Sequence, residues 1–192
     1  MTDVKEVVRI LGGDSYAKKA VELLIKYCDE GYIPSHEIDF EMMLLLEYYR
    51  LALPINSLNA SLSWDTRITT SDKFEIPYII RFFFKKLKDD GEANIDDVVV
   101  EYFKRIGEKD PEDFVEILKE VIPHSKNCIV NGEAIVKAST KRNRDGGVVI
   151  AELKGAGLIS PYISRGKFKN LSSPLYEINR FVFELISKKM WF

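Results

Sequence analysis

The stretch 141–163, KRNRDGGVVIAELKGAGLISPYI, decides how the last third of this chain is read. It opens on a polar turn, Lys141-Arg142-Asn143-Arg144, followed by Asp145, whose carboxylate can cap a helix. The spacing predicts that helix from Gly146 to Ala156, with Val149, Ile150 and Leu153 toward a core. Gly146, Gly147, Val148, Ala151, Glu152, Lys154 and Gly155 would then point outward. Gly157 supplies the stop, because glycine accepts the left-handed conformation common just past a helix. From Leu158 to Ile163 the chain reads as extended.

Working outward, the order of elements is specific. Upstream lie a helix (111–122), a short apolar strand (128–130) and a helix from Gly132 to Lys141 with Ile135, Val136 and Ala138 inward. Downstream, the loop 164–173 carries glycine and lysine, and 174–178 alternates as a strand. Asn179 then caps a last helix through Phe183, Leu185 and Ile186.

Two short runs, Ile150–Ile159 (IAELKGAGLI) and Ser173–Asn179 (SPLYEIN), resemble the winged helix-turn-helix superfamily. The first is similar to the end of a reading helix passing through glycine into a wing strand, the second to the returning strand and cap. The resemblance covers the chain from about Pro111 to its end. It implies that helix 146–156 enters the major groove of DNA and that 164–173 is the wing. Base readout requires Arg, Asn, Gln or Ser on the outward face, and this helix offers Lys154 beside a repulsive Glu152. Phosphate contact is better supplied. Lys137, Lys141, Arg142 and Arg144 lead into the helix, Lys154 lies on it, and Arg165, Lys167 and Lys169 lie on the wing. The expected function is therefore a DNA-binding protein, a transcription regulator or chromosome-associated factor that grips backbone. The alternative is a protein-interaction module in a larger replication or transcription assembly, since winged helices also serve that role.

The front of the chain predicts helices with legible ends. One runs from Asp3 to Leu11 before Gly12-Gly13, and one follows Asp14 or Ser15 and closes near Gly31. A third is expected from His36 to about Leu53, capped by Ser35. Its Met42–Leu46 run is apolar all round, so it belongs either to the core or to a subunit contact. Residues 55–72 are polar, with Leu62, Trp64 and Ile68 spaced for a short strand or hairpin arm. Pro77 starts a helix closed by Gly91, and Asn94 caps Ile95–Ile106.

The fold class predicted is mainly α: an acidic multi-helix domain (1–108) followed by a winged helix-turn-helix domain (109–192) with a small β-wing. Charge also separates an acidic front from a basic back. Residues 1–120 hold 16 Lys and Arg against 25 Asp and Glu, whereas 121–192 hold 12 against 5, as expected if only the back approaches a polyanion. The front would serve a homodimer or a protein partner; the terminal Met190-Trp191-Phe192 adds to that expectation.

No run of about 18 apolar residues occurs, so no membrane partner is expected. The first residues lack the apolar region of a secretory signal, and two cysteines cannot make a disulfide framework, which together predict a cytoplasmic protein with reduced Cys28 and Cys128. No metal-ligand spacing, phosphate-binding glycine loop or nucleophile elbow is present, so neither cofactor nor enzymatic activity is predicted.

Overall fold

The computed structural model describes residues 1–54, Trp64, 71–163 and 174–190, with positions 189 and 190 described by their backbone alone. The predicted wing (164–173), with Arg165, Lys167 and Lys169, lies outside the described residues, as do Trp191 and Phe192 and most of the predicted arm at 55–72.

Short polar caps place most of the front helices. α1 (Val4–Ile10) begins where Glu6 N–H donates to Asp3 Oδ1 at 2.8 Å, and α2 (Ser15–Tyr27) where Ala17 N–H donates to Asp14 Oδ1 at 2.8 Å. α3 differs from the expected 36–53 helix. Ser35–Glu37 forms one 3-10 turn, Ile38 is extended, and the helix runs only over Phe40–Tyr48. Asp39, not Ser35, is its cap, accepting from Met42 N–H at 2.8 Å. It stops because Arg50 adopts a left-handed φ of 59° that turns the chain away.

Two short strands, one before and one after the segment 55–72, join a third from earlier in the chain. β2 (Tyr32–Pro34), β3 (Leu53–Pro54) and β4 (Lys73–Glu75) form a sheet in the order β2-β4-β3, with Ile33 opposite Phe74 and Leu53 opposite Glu75. β1 (Thr2–Asp3) pairs antiparallel with β5 (Glu92–Ala93). β5 is preceded by α4 (Tyr78–Asp90), closed by left-handed Gly91, and followed by α5 (Ile95–Arg105), capped by Asn94. Ile106, the last residue of the expected helix, is 52% exposed and falls past the last helical turn.

The back of the chain follows as α6 (Glu112–Val121), β6 (Ile129–Asn131), α7 (Gly132–Thr140), α8 (Gly146–Gly155), β7 (Ile159–Tyr162), β8 (Leu175–Ile178) and α9 (Arg180–Met190). Its sheet is antiparallel in the order β6-β8-β7, so the last strand lies between the other two, with Tyr176 opposite both Val130 and Pro161.

One hydrophobic core runs from Val7 to Ile186 and crosses the 108/109 division. Phe181 of α9 packs edge-on to Phe83 of α4 at 5.3 Å between ring centroids and stacks on Phe84 at 5.9 Å, all three fully buried. Phe103 of α5 stacks on Phe114 of α6. Each such ring contributes about 1.5–3 kcal/mol by leaving water, which is ample to hold front and back together. A polar clasp reinforces the join. Arg50 Nη2 donates to both carboxylate oxygens of buried Glu177 at 3.0 and 3.1 Å, Asn179 Nδ2 donates to the Arg50 carbonyl, and Phe181 N–H donates to the Tyr49 carbonyl. The Arg50 guanidinium also lies 5.9 Å from the Trp64 ring.

Candidate interaction surface on α7 and α8

The turn between α7 and α8 is built as the sequence suggests, with Asn143 in the left-handed conformation (φ 55°) and Asp145 accepting from Val148 N–H at 3.0 Å. That carboxylate occupies the anion-favouring end of α8. The cations of the turn pair with acids of α6 and of the loop before it. Arg144 Nη1 donates to Glu108 at 2.6 Å, its Nε to Asp113 at 2.7 Å and its Nη2 to the Asp110 carbonyl at 2.7 Å, while its plane lies 4.7 Å from the Phe114 ring. Lys141 and Arg142 both donate to Glu120 of α6, Arg142 at 2.9 Å, and Arg142 also donates to the Ala138 carbonyl. Glu120 and Glu108 are held below the ordinary carboxylate range by hydrogen bonds, from Lys141 first and from Arg144 respectively.

Glu152 completes the Arg144 cluster. Burial, and then the neighbouring Glu108, raise its carboxyl to about 7, and its Oε2 is enclosed with no hydrogen-bond partner. A protonated Glu152 beside an ionised Glu108 is how two adjacent carboxyls avoid carrying two charges.

Among the predicted nucleic-acid contacts, the structure therefore brings together Lys141, Arg142 and Arg144, but against Glu108, Asp113 and Glu120. Lys137 is exposed on α7 and Lys154 half-buried on α8, each without a counter-charge among the described residues. The outward face of α8 consists of Gly147, Val148, Ala151 and Gly155, with Val148 54% exposed. Gly146 does not belong to that face: it is buried, and a Cβ there would meet Val136 Cα at 2.8 Å. Val136, expected on the core face, is 40% exposed.

Glu108, Asp113 and Glu120, the acids that meet the turn, carry no local sequence signal of that role. Their partners are 21 to 36 residues away, and no local pattern announces them. No three His, Cys, Asp or Glu converge to hold a metal among the described residues, and no helix there is long and apolar enough to cross a membrane.

No curated protein and no solved structure matches the chain. One family model does, over residues 4–189, without an activity attached to it. That match begins at the first residue of α1 and reaches the last turn of α9, so the chain belongs to that family over nearly its whole length.

Proposed function

We propose that residues 109–192 form a winged helix-turn-helix module whose α7–α8 face binds a protein partner within a larger assembly. Support for the module is the order α6-β6-α7-α8-β7-β8 together with the sheet order β6-β8-β7, in which a strand, two helices and a hairpin close on the first strand. The observation that carries the protein reading is the state of the turn: Lys141, Arg142 and Arg144 are spent on Glu108, Asp113 and Glu120. A face of Gly147, Val148, Ala151 and Gly155 has no side-chain donor for a base edge, whereas small apolar residues admit close packing of another chain. A photocrosslinking residue at position 148 tests this in cells that make the protein. A protease-sensitive adduct abolished by Ala151→Arg is expected; a nuclease-sensitive adduct would overturn the reading.

A second reading, DNA binding through the phosphate backbone, is favoured by Lys137 and Lys154, which have no counter-charge among the described residues, and by the composition of 164–173. It predicts that the full chain binds duplex DNA more tightly than about 10⁻⁴ M at low salt, with an affinity that falls steeply as salt rises. Alanine at Lys137, Lys154, Arg165, Lys167 and Lys169 should flatten that salt dependence.

A further inference from the structure

A second surface, remote in sequence from α7 and α8 and independent of the reading above, lies on α3. Its inner side is fixed, with Met42 and Leu46 fully buried. Its outer side presents Phe40, Leu44 and Tyr48, which remain 64%, 49% and 57% exposed. At about 100° per residue these three fall within an arc of roughly 80°, one stripe along the helix. Large apolar groups gathered in a stripe rather than scattered mark an interaction site, and aromatic residues are the usual anchors of one.

The shoulders of the stripe say what covers it. Glu41 and Glu47 lie about 60° to either side of its centre, from the same helical geometry. Neither carboxylate forms an ion pair with another described residue. Glu47 is half-buried, and that burial raises its carboxyl above the ordinary range against the opposing influence of Arg50, whose guanidinium is hydrogen-bonded to Glu177 instead. The nearby cations are committed elsewhere: Lys19 to Asp39, Lys26 to Glu37, and Arg180, which lies over the Tyr48 ring, to Glu177.

We infer that the outer face of α3 docks a basic amphipathic helix, apolar along its centre and bearing Lys or Arg along both edges. Such a helix would seat its apolar stripe on Phe40, Leu44 and Tyr48 and set cations against Glu41 and Glu47, the arrangement by which paired helices choose partners. A second copy of α3 would place carboxylate against carboxylate, and an anionic membrane would repel both shoulders. With three anchors, the contact belongs to the small, transient class of interface, with Kd on the order of 10 µM.

The probe is a 14-residue Leu/Lys amphipathic helical peptide, with its Leu/Glu counterpart as control, titrated against the full chain by fluorescence anisotropy. The Leu/Lys peptide is expected to bind and the Leu/Glu peptide not. Leu44→Ser should weaken binding at least tenfold, and Glu41→Lys with Glu47→Lys should invert the preference between peptides. All three positions are solvent-facing or half-buried, and circular dichroism confirms that the variants fold. Absence of binding, or binding unchanged in both variants, overturns the inference. So does a dimer of the chain that Leu44→Ser dissolves in sedimentation, because a second copy then occupies the stripe.

Discussion

α3 and α8 start from similar local instructions and finish with different surfaces. Each is capped by an aspartate, Asp39 on Met42 N–H and Asp145 on Val148 N–H. Each is apolar on nearly every side, so hydropathy does not choose which face goes inward. Both bury residues one turn apart, Met42 and Leu46 in one case, Val149 and Leu153 in the other. What remains outside differs: aromatic and leucine side chains between carboxylates on α3, glycine, alanine and valine on α8. The rotation of such a helix is set by what holds its exit. α3 leaves through Arg50 into the buried clasp with Glu177, whereas α8 leaves through Gly157, against Pro77 at the start of α4. The comparison teaches that an all-round apolar helix takes its orientation from tertiary anchors.

Removing the α3 anchor should have the largest effect. Arg50→Ala strips Glu177, whose side chain is 2% exposed, of its two-pronged partner and leaves a buried carboxylate whose remaining cation among the described residues is Arg180. Breaking a buried pair from one side costs about 3–5 kcal/mol. Urea denaturation should show a loss near the lower bound, since Arg180 retains part of the charge balance. Replacing both partners by apolar residues, Arg50→Met with Glu177→Leu, should recover most of it. A loss below about 1 kcal/mol for Arg50→Ala would place the α3 anchor elsewhere, given that exposed pairs contribute no more than this.

The α8 anchor predicts a smaller loss. Gly157 has φ 76°, and a Cβ there would stand 2.6 Å from Pro77 Cβ, beside the hydrogen bond from Ile79 N–H to the Ala156 carbonyl. Gly157→Ala combines a left-handed alanine with an overpacked contact and should cost about 1–3 kcal/mol. Gly155→Ala, with open space around its Cβ and a helical backbone, should be neutral or slightly stabilising. Equal effects of the two substitutions would show that the approach of α4 to α8 does not constrain position 157.

The same contrast explains what the sequence could show. Caps and stops act within a few residues, so Asp3, Asp14, Gly91, Asn94 and Asp145 mark their helices, and the element order behind Pro111 is legible in the sequence alone. The two- and three-residue strands β1 to β5 were not, because so short a strand has no alternation to detect. The α3 boundaries were lost to Ile38, whose extended backbone interrupts a periodic pattern without a proline or glycine to signal it. At the candidate surface, the cations were found and their neutralisation was not. Arg144 meets Asp113 31 residues away, and Arg50 meets Glu177 127 residues away; pairings over such separations are properties of the packed fold.

The smallest effect sharpens the comparison most, because both helices carry a glutamate whose carboxyl is raised. On α3, Glu47 is raised by burial against the single opposing influence of Arg50. On α8, Glu152 is raised to about 7 by burial and by Glu108, which Arg144 keeps ionised. A carboxyl raised in the folded state binds its proton more tightly there than in the unfolded chain. Its contribution is therefore fully present below the unfolded value near 4.5 and is lost as pH rises to about 7. Glu152→Gln fixes the neutral form and removes that slope. The variant should match the wild type near pH 4.5, gain on it steadily up to about pH 7 and keep a constant advantage beyond, as read from urea midpoints at each pH. Glu108 titrates in the opposite sense, below its ordinary value, so its influence falls outside that window. A flat difference across the window would mean that Glu152 is ionised throughout, leaving two charges against Arg144. Glu47→Gln should give the same shape with a smaller rise, because Glu47 has no second carboxylate beside it among the described residues to share its proton.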